Sequence, residues 1–259
     1  SSAEPLFRYR KESAMEQIYT IPVNEAFEAS AADASLGCPF CRLYNKLEDN
    51  ELDLILGASM MEPDVRVKTN EQGFCATHFA MMLRRPKRLP LALLLESHLA
   101  EQKKNLGADA AFIGRAGEAA AKRFAALSSS CYVCGRIEYN FTRMQETAAL
   151  LWEQDPEFRK KTDAQPYFCL PHYAAFTAAA RERLGRKTFG EFYRAVSALE
   201  EAYMEKLNGD VSHFVKKFDY RYEDEPWGDA KDSPERAVAF LTGRLHEGSG
   251  ERRDEGGLR

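Results

Sequence analysis

The sequence predicts an all-α protein of two tandem helical repeats, followed by a long C-terminal helix and an aromatic-rich extension. Three observations carry that expectation. Apolar residues recur at helical spacing along most of the 259 residues, strand-like alternation is nearly absent, and all six cysteines fall into one scheme that occurs twice.

Taken in order, Asn24 to Ala34 reads as a short helix with Asn24 as its N-cap and Phe27 among small residues. Leu43, Leu47, Leu52, Leu54, Ile55 and Leu56 then give one apolar helix, or two with a break near Asp49-Asn50. A helix through His78 should run to Arg85 and stop before Pro86. Leu91 to Asn105 reads as the next, with Leu94, Leu95, His98 and Leu99 on one side. Ala108 to Leu127 is alanine-rich and helical despite Gly114 and Gly117, and it joins the two repeats. Ile137, Phe141, Met144, Ala148 and Leu151 give a helix from Arg136 to about Glu153, and another follows His172. Lys187 to about Lys217 is a long amphipathic helix, and Ser233-Pro234 starts the last one, with serine as N-cap and proline in the first turn.

The expected organisation is a disordered extension over 1–14, a first zinc-binding helical repeat over 15–107, a second over 108–185, a helical extension packed on the repeats over 186–245, and a disordered charged tail over 246–259. With 44% hydrophobic and 29% charged residues, the chain has the composition of a globular protein with an ordinary core. A formal net charge of −4 disfavours nucleic acid as a partner and leaves a protein partner as the better candidate. The basic run Arg84, Arg85, Lys87, Arg88 reads as a solvated loop. No apolar run reaches the length of a membrane span, and no secretory leader is evident near Ser1, so a reducing cytoplasmic setting is expected.

The first cysteine set is Cys38-Pro39-Phe40-Cys41 with Phe74-Cys75-Ala76-Thr77-His78. The second is Cys131-Tyr132-Val133-Cys134 with Phe168-Cys169-Leu170-Pro171-His172. The C-x2-C pairs lie 93 residues apart and the C-x2-H pairs 94, and Pro63/Pro156, Arg66/Arg159, Lys68/Lys161 and Thr69/Thr162 keep the 93-residue offset. Such self-similarity predicts an internal duplication.

Zinc explains these residue types at these spacings. It takes four ligands tetrahedrally; a C-x2-C knuckle offers two sulfurs to one ion, with Pro39 and Gly135 as turn residues, and C-x2-H on a helix puts its ligands at i and i+3 on one face. The expectation is therefore two zinc ions per chain on Cys38, Cys41, Cys75, His78, Cys131, Cys134, Cys169 and His172. Disulfides would leave both histidines unexplained, and a thioredoxin-like C-x2-C would need a βαβ context. An iron-sulfur cluster on three cysteines and a histidine stays as an alternative. The ligand pairs can combine within each repeat or exchange between repeats, and the shorter loops favour pairing within a repeat.

The duplicated C-P-F-C and F-C-x2-H elements, Met61-Glu62-Pro63-Asp64-Val65-Arg66, and the segment from Phe218-Asp219-Tyr220-Arg221 to Pro226-Trp227-Gly228 together resemble an uncharacterised family of bacterial cytoplasmic proteins, a domain of unknown function. The resemblance covers about Met15 to Gly243 and implies no particular reaction.

The residues themselves favour structural zinc in a helical scaffold for protein or nucleic-acid interaction, since a site with four protein ligands has no open position for water. A thiol-based redox or metal sensor is the first alternative, and an iron-sulfur or other metal-dependent enzyme the second. The remaining histidines, His98, His213 and His246, have no evident acid-base partner, and no phosphate loop, G-x-S-x-G or H-E-x-x-H occurs.

Overall fold

The computed structural model describes residues 4–107 and 116–243. The expected tail over 246–259, residues 1–3 of the leading extension and the first part of the Ala108 to Leu127 helix lie outside the described residues. The protein is all-α: among the described residues there are eleven α-helices and no strand. They are α1 (Glu4–Ala32), α2 (Pro39–Ile55), α3 (Pro63–Gln72), α4 (Ala76–Arg84), α5 (Arg88–Gly107), α6 (Ala116–Ser128), α7 (Tyr132–Gln154), α8 (Pro156–Asp163), α9 (Leu170–Arg183), α10 (Arg186–Lys216) and α11 (Ser233–Thr242).

The chain forms two compact units, and their boundaries differ from those of the expected repeats. One unit joins residues 1–45 to 141–259, and the other is the intervening segment Lys46–Asn140. The boundaries fall inside α2 and α7, so each of these helices contributes to both units.

In the discontinuous unit the core is aromatic. Phe27 of α1 meets Phe158 of α8 at 4.7 Å and Phe40 of α2 at 5.4 Å. Phe40 meets Phe176 of α9 at 4.9 Å, and Phe176 meets Phe192 of α10 at the same distance, edge to face. Such edge contacts add to the area these rings bury. Polar ties fix the frame: the Gln165 amide donates to the Phe27 carbonyl at 2.7 Å, and Lys161 pairs with Glu28. α11 packs on α9 and α10, and Arg236 anchors it to Asp210 on α10.

In the inner unit, α3 packs on α5, with Leu91 and Leu94 buried. The Asn70 side chain accepts from the Ser97 hydroxyl and its carbonyl from the Gln102 amide, each at 3.0 Å. Arg85, at the end of α4, bridges Asp49 and Asp53 of α2.

Several local expectations need correction. Asn24 does not cap a helix; it lies inside α1 and donates to the Thr20 carbonyl, and the helix runs on through Pro22. Burial of Val23, Ala26, Phe27 and Ser30 against the neighbouring helices outweighs the backbone hydrogen bond that proline removes. Of the two readings of α2, the single unbroken helix holds, because Glu48, Glu51, Leu52 and Ile55 form one buried stripe across Asp49-Asn50. Leu99 is exposed, since the buried side of α5 is set by Leu91 and Leu94. Asp232, not Ser233, occupies the N-cap of α11, and Ser233 is fully buried in its first turn.

Phe27, at the crossing of α1, α2 and α8, should be the most sensitive of these core positions. Phe27→Ala is expected to lower unfolding free energy by about 3–5 kcal/mol, the usual cost of deleting a fully buried phenylalanine. Urea denaturation followed by circular dichroism measures it, and a loss below about 1 kcal/mol would mean that this aromatic contact does not hold α1 in place.

Candidate metal centres

All eight predicted ligands gather into two clusters of three cysteines and one histidine, each able to hold a metal ion, with the donor atoms of each cluster within 4.8 Å of one another. The pairing is crossed. Cys38 and Cys41 join Cys169 and His172, and Cys75 and His78 join Cys131 and Cys134. The expected pairing within each repeat is therefore wrong. The crossed pairs close chain separations of 128 and 53 residues, against 34 and 35 for the local alternative. That difference in loop closure amounts to only about 1.5 kcal/mol. Burying one phenylalanine is worth about as much, and the contacts of Phe40 with Phe168 and Phe176 exist only if the segment around Cys38 meets the segment around Cys169.

One local device supplies every donor pair. Cys75 and Cys169 are the N-caps of α4 and α9, and Cys38 and Cys131 immediately precede α2 and α7. In each case the second donor stands three residues on, in the first helical turn, so both point to the same side. C-x2-C is thus a helix start and not a separate knuckle: Pro39 is the first residue of α2, and Gly135 lies inside α7 instead of in a turn. The Cys134 amide points at the Cys131 sulfur, 3.5 Å away, so a sulfur takes the place of the usual capping oxygen. Two helix N-termini face each cluster, and their partial positive charge favours thiolates over thiols.

The cluster of Cys38, Cys41, Cys169 and His172 is buried throughout. His172 Nδ1 lies 3.6, 3.4 and 3.1 Å from the sulfurs of Cys38, Cys41 and Cys169, and the Cys41 and Cys169 sulfurs are 3.6 Å apart. The rings of Phe141 and Phe40 flank the imidazole at 5.1 and 6.1 Å. Gly243, with φ +84°, ends α11 against the sulfurs: a Cβ there would lie 3.4 Å from the Cys169 sulfur and 3.6 Å from that of Cys41. Burial pushes the Cys38 thiol well up, whereas hydrogen bonds from Cys169 and Cys38 pull Cys41 far down. Buried sulfurs that share negative charge in this way favour a cation among them.

In the inner cluster, His78 Nδ1 lies 3.1, 3.2 and 3.4 Å from the sulfurs of Cys75, Cys131 and Cys134. Its other ring nitrogen, Nε2, is 3.0 Å from the buried carboxylate of Glu48. Burial opposes charge on this imidazole, but Cys131 and Glu48 outweigh it and raise its pKa to about 10. Against the same burial, His78 lowers Cys131 to about 6. The hydrogen bond from the Tyr132 amide to the Gly73 carbonyl, 3.0 Å, and that from the Ser130 hydroxyl to the Gln72 carbonyl bring the two donor pairs together.

Two supporting carboxylates had no signature among the motifs. Glu48 orients His78, as carboxylates commonly orient metal-binding imidazoles. Glu200 of α10 is buried and accepts from the Phe168 amide at 2.6 Å, which fixes the residue before Cys169. Burial raises its pKa to about 7 against that hydrogen bond. Of the other histidines, His98 sits half-buried on α5, His213 bonds the Pro226 carbonyl at 2.9 Å, and His246 lies outside the described residues.

Two outcomes are expected. Glu48→Gln should weaken metal binding at the inner cluster by about 10- to 100-fold and leave the buried cluster unchanged, in competition titrations against a chelator; equal weakening of both would contradict the assignment. Glu200, raised in the folded state, contributes stability that is full below pH about 4.5 and is lost as pH rises through about 7. Glu200→Gln should flatten that decline and gain about 1–3 kcal/mol at pH 8, read from denaturation midpoints across pH.

No helix among the described residues is long and apolar enough to cross a membrane. Comparison with curated proteins and with solved structures found no match. A family model matches residues 14–248, which takes in the whole span over which the motifs suggested kinship. The chain therefore belongs to DUF6062, a family of unknown function.

Proposed function

We propose that the protein is a zinc protein in which two structural Cys3His sites hold a helical scaffold that serves interaction with a protein partner. The crossed meeting of helix N-termini, which gives each cluster four donors and no open position, carries this reading. A tetrahedral ion with Zn–S about 2.3 Å and Zn–N about 2.0 Å sets its sulfurs about 3.8 Å apart and sulfur from nitrogen about 3.5 Å. The closest donor separations, 3.1 to 3.9 Å, fall around those values, and all donors of a cluster lie within 4.8 Å of one another. An iron-sulfur cluster distributes its protein ligands over several irons and spreads them wider than a single ion does, so the compact donor set favours one ion.

Hydrolytic zinc enzymes keep a coordination position for water, and four protein donors fill it. A structural role agrees with the placement of the clusters: each lies within one compact unit and joins segments distant in sequence. The crossed pairing also fits a duplicated ancestor whose two copies exchanged halves, since each cluster takes its C-x2-C from one repeat and its C-x2-H from the other. Phe218 and Tyr220, 77% and 85% exposed beside Lys216 and Arg221, offer the kind of aromatic surface that protein partners bind.

Protein purified without added metal should contain two zinc ions per chain by elemental analysis, with the buried thiols of Cys38, Cys41 and Cys169 protected from alkylation until a strong chelator is added. Chelation should lower the thermal midpoint and the helicity together, because the binding energy of structural zinc is folding energy. Iron with visible absorbance, or full helicity and an unchanged midpoint after both ions are removed, would refute this function.

A further inference from the structure

The two clusters have the same donor set and very different access. In the buried cluster Cys38, Cys41 and Cys169 are 1, 4 and 0% exposed, aromatic rings flank His172, and Gly243 packs against two of the sulfurs. In the inner cluster only His78 is buried; Cys75 and Cys131 are half-buried and Cys134 is exposed. The flank of Cys134 is open as well, since a Cβ built on Gly135 would meet nothing within 4 Å. Reactivity of a cysteine toward oxidants follows its thiolate character and its exposure. Solvent reaches the Cys134 sulfur; burial and the Cys131 sulfur push this thiol up, and coordination to a metal would hold it as a thiolate.

We infer that the inner cluster is an oxidant-reactive site, with Cys134 as the sulfur attacked by hydroperoxides, and that its oxidation releases one of the two metal ions while the buried site stays intact. This rests on the metal reading above. In the first step the Cys134 thiolate attacks the O–O bond of hydrogen peroxide, giving a sulfenic acid and hydroxide. In the second, a neighbouring thiolate attacks that sulfur, forms the S–S bond and expels a second hydroxide. Two sulfurs lose two electrons, and the two peroxide oxygens gain them. The Cys75 sulfur, 3.9 Å from that of Cys134, and the Cys131 sulfur in the same cluster are both within reach. A cluster reduced to one thiolate and one imidazole no longer holds its ion, which leaves as the divalent cation.

The consequence stays within the inner unit. There Cys75 caps α4 and Cys131 precedes α7, and the metal is the shared anchor of these two helix starts. A disulfide from Cys134 to either sulfur replaces a four-way junction by a single link and frees the His78 imidazole from the ion while Glu48 still holds it. The buried cluster offers an oxidant no comparable sulfur.

The test uses the full-length protein loaded with two zinc ions, a load confirmed by elemental analysis. Hydrogen peroxide is added with a chromophoric zinc chelator present, and the thiols are mapped by differential alkylation and non-reducing peptide analysis. The expected result is one equivalent of zinc released, about tenfold or more faster than the second, with the new disulfide at Cys134 and with Cys38, Cys41 and Cys169 still reduced. Cys134→His, which keeps four ligands, should slow that first release by a similar factor. Release of both ions together, release of neither, or oxidation that begins at the buried cysteines would overturn the inference and leave the structural role of zinc standing. Protein that takes up no metal would refute both.

Discussion

The structure depends on one repeated constraint: a cysteine placed immediately before a helix or at its N-cap, with a second donor three residues on. Each such start leaves backbone amides without partners inside the helix, and each puts the positive end of the helix dipole where thiolates stand. A lone start of this kind has no use for its negative sulfurs. Two that meet can share a cation, which would satisfy charge and backbone together, and the meeting of α2 with α9 and of α4 with α7 at their N-termini brings distant parts of the chain together. The rest of each unit is built around that meeting. The aromatic core from Phe27 through Phe40 and Phe176 to Phe192 packs beside one junction, where Phe40 and Phe141 flank His172, and in the other unit α5 packs on α3 and α4.

The identity of the eight donors was legible in the sequence because ligand chemistry restricts residue type and helical geometry restricts spacing. The long helices were legible for the same kind of reason: α10, Arg186–Lys216, starts and ends within one residue of the expected Lys187 to Lys217. The pairing was not legible, because loop entropy is logarithmic in length and separates the two pairings only weakly. A preference of about 1.5 kcal/mol yields to a few buried rings, and burial depends on contacts that spacing does not encode. Pro22 misled in a similar way. Its local cost is real, but Val23 and Phe27 belong to a face that the core covers.

Glu48 and Glu200 were missed for a different reason. Each acts across the fold, 30 residues from His78 and 32 from Phe168, with no motif between. For Glu48 a faint signal did exist. It shares its helical stripe with Glu51, Leu52 and Ile55, and carboxylates on an apolar stripe ask for partners: Glu51 finds Arg136, and Glu48 finds His78. Glu200 follows Val196 on the buried side of α10 in the same manner. A charged residue at a core position of a well-formed amphipathic helix is thus a sequence-level pointer to a buried anchor, though not to the identity of what it anchors.

The contrast between the clusters bears on how this protein would hold a metal ion at each. Equal donor sets in unequal surroundings would bind the same ion with different lability, because ion loss needs access for water, protons or oxidants, and access is set by burial rather than by the ligands. In the buried cluster Phe40, Phe141 and Gly243 exclude solvent, and breaking it requires opening the aromatic core. The inner cluster has a carboxylate that strengthens its imidazole and a solvent-facing sulfur that leaves it reachable. A metal held only as a rivet would gain nothing from that exposure. One site enclosed and the other open is the arrangement expected where the first secures the fold and the second is free to respond without dismantling it.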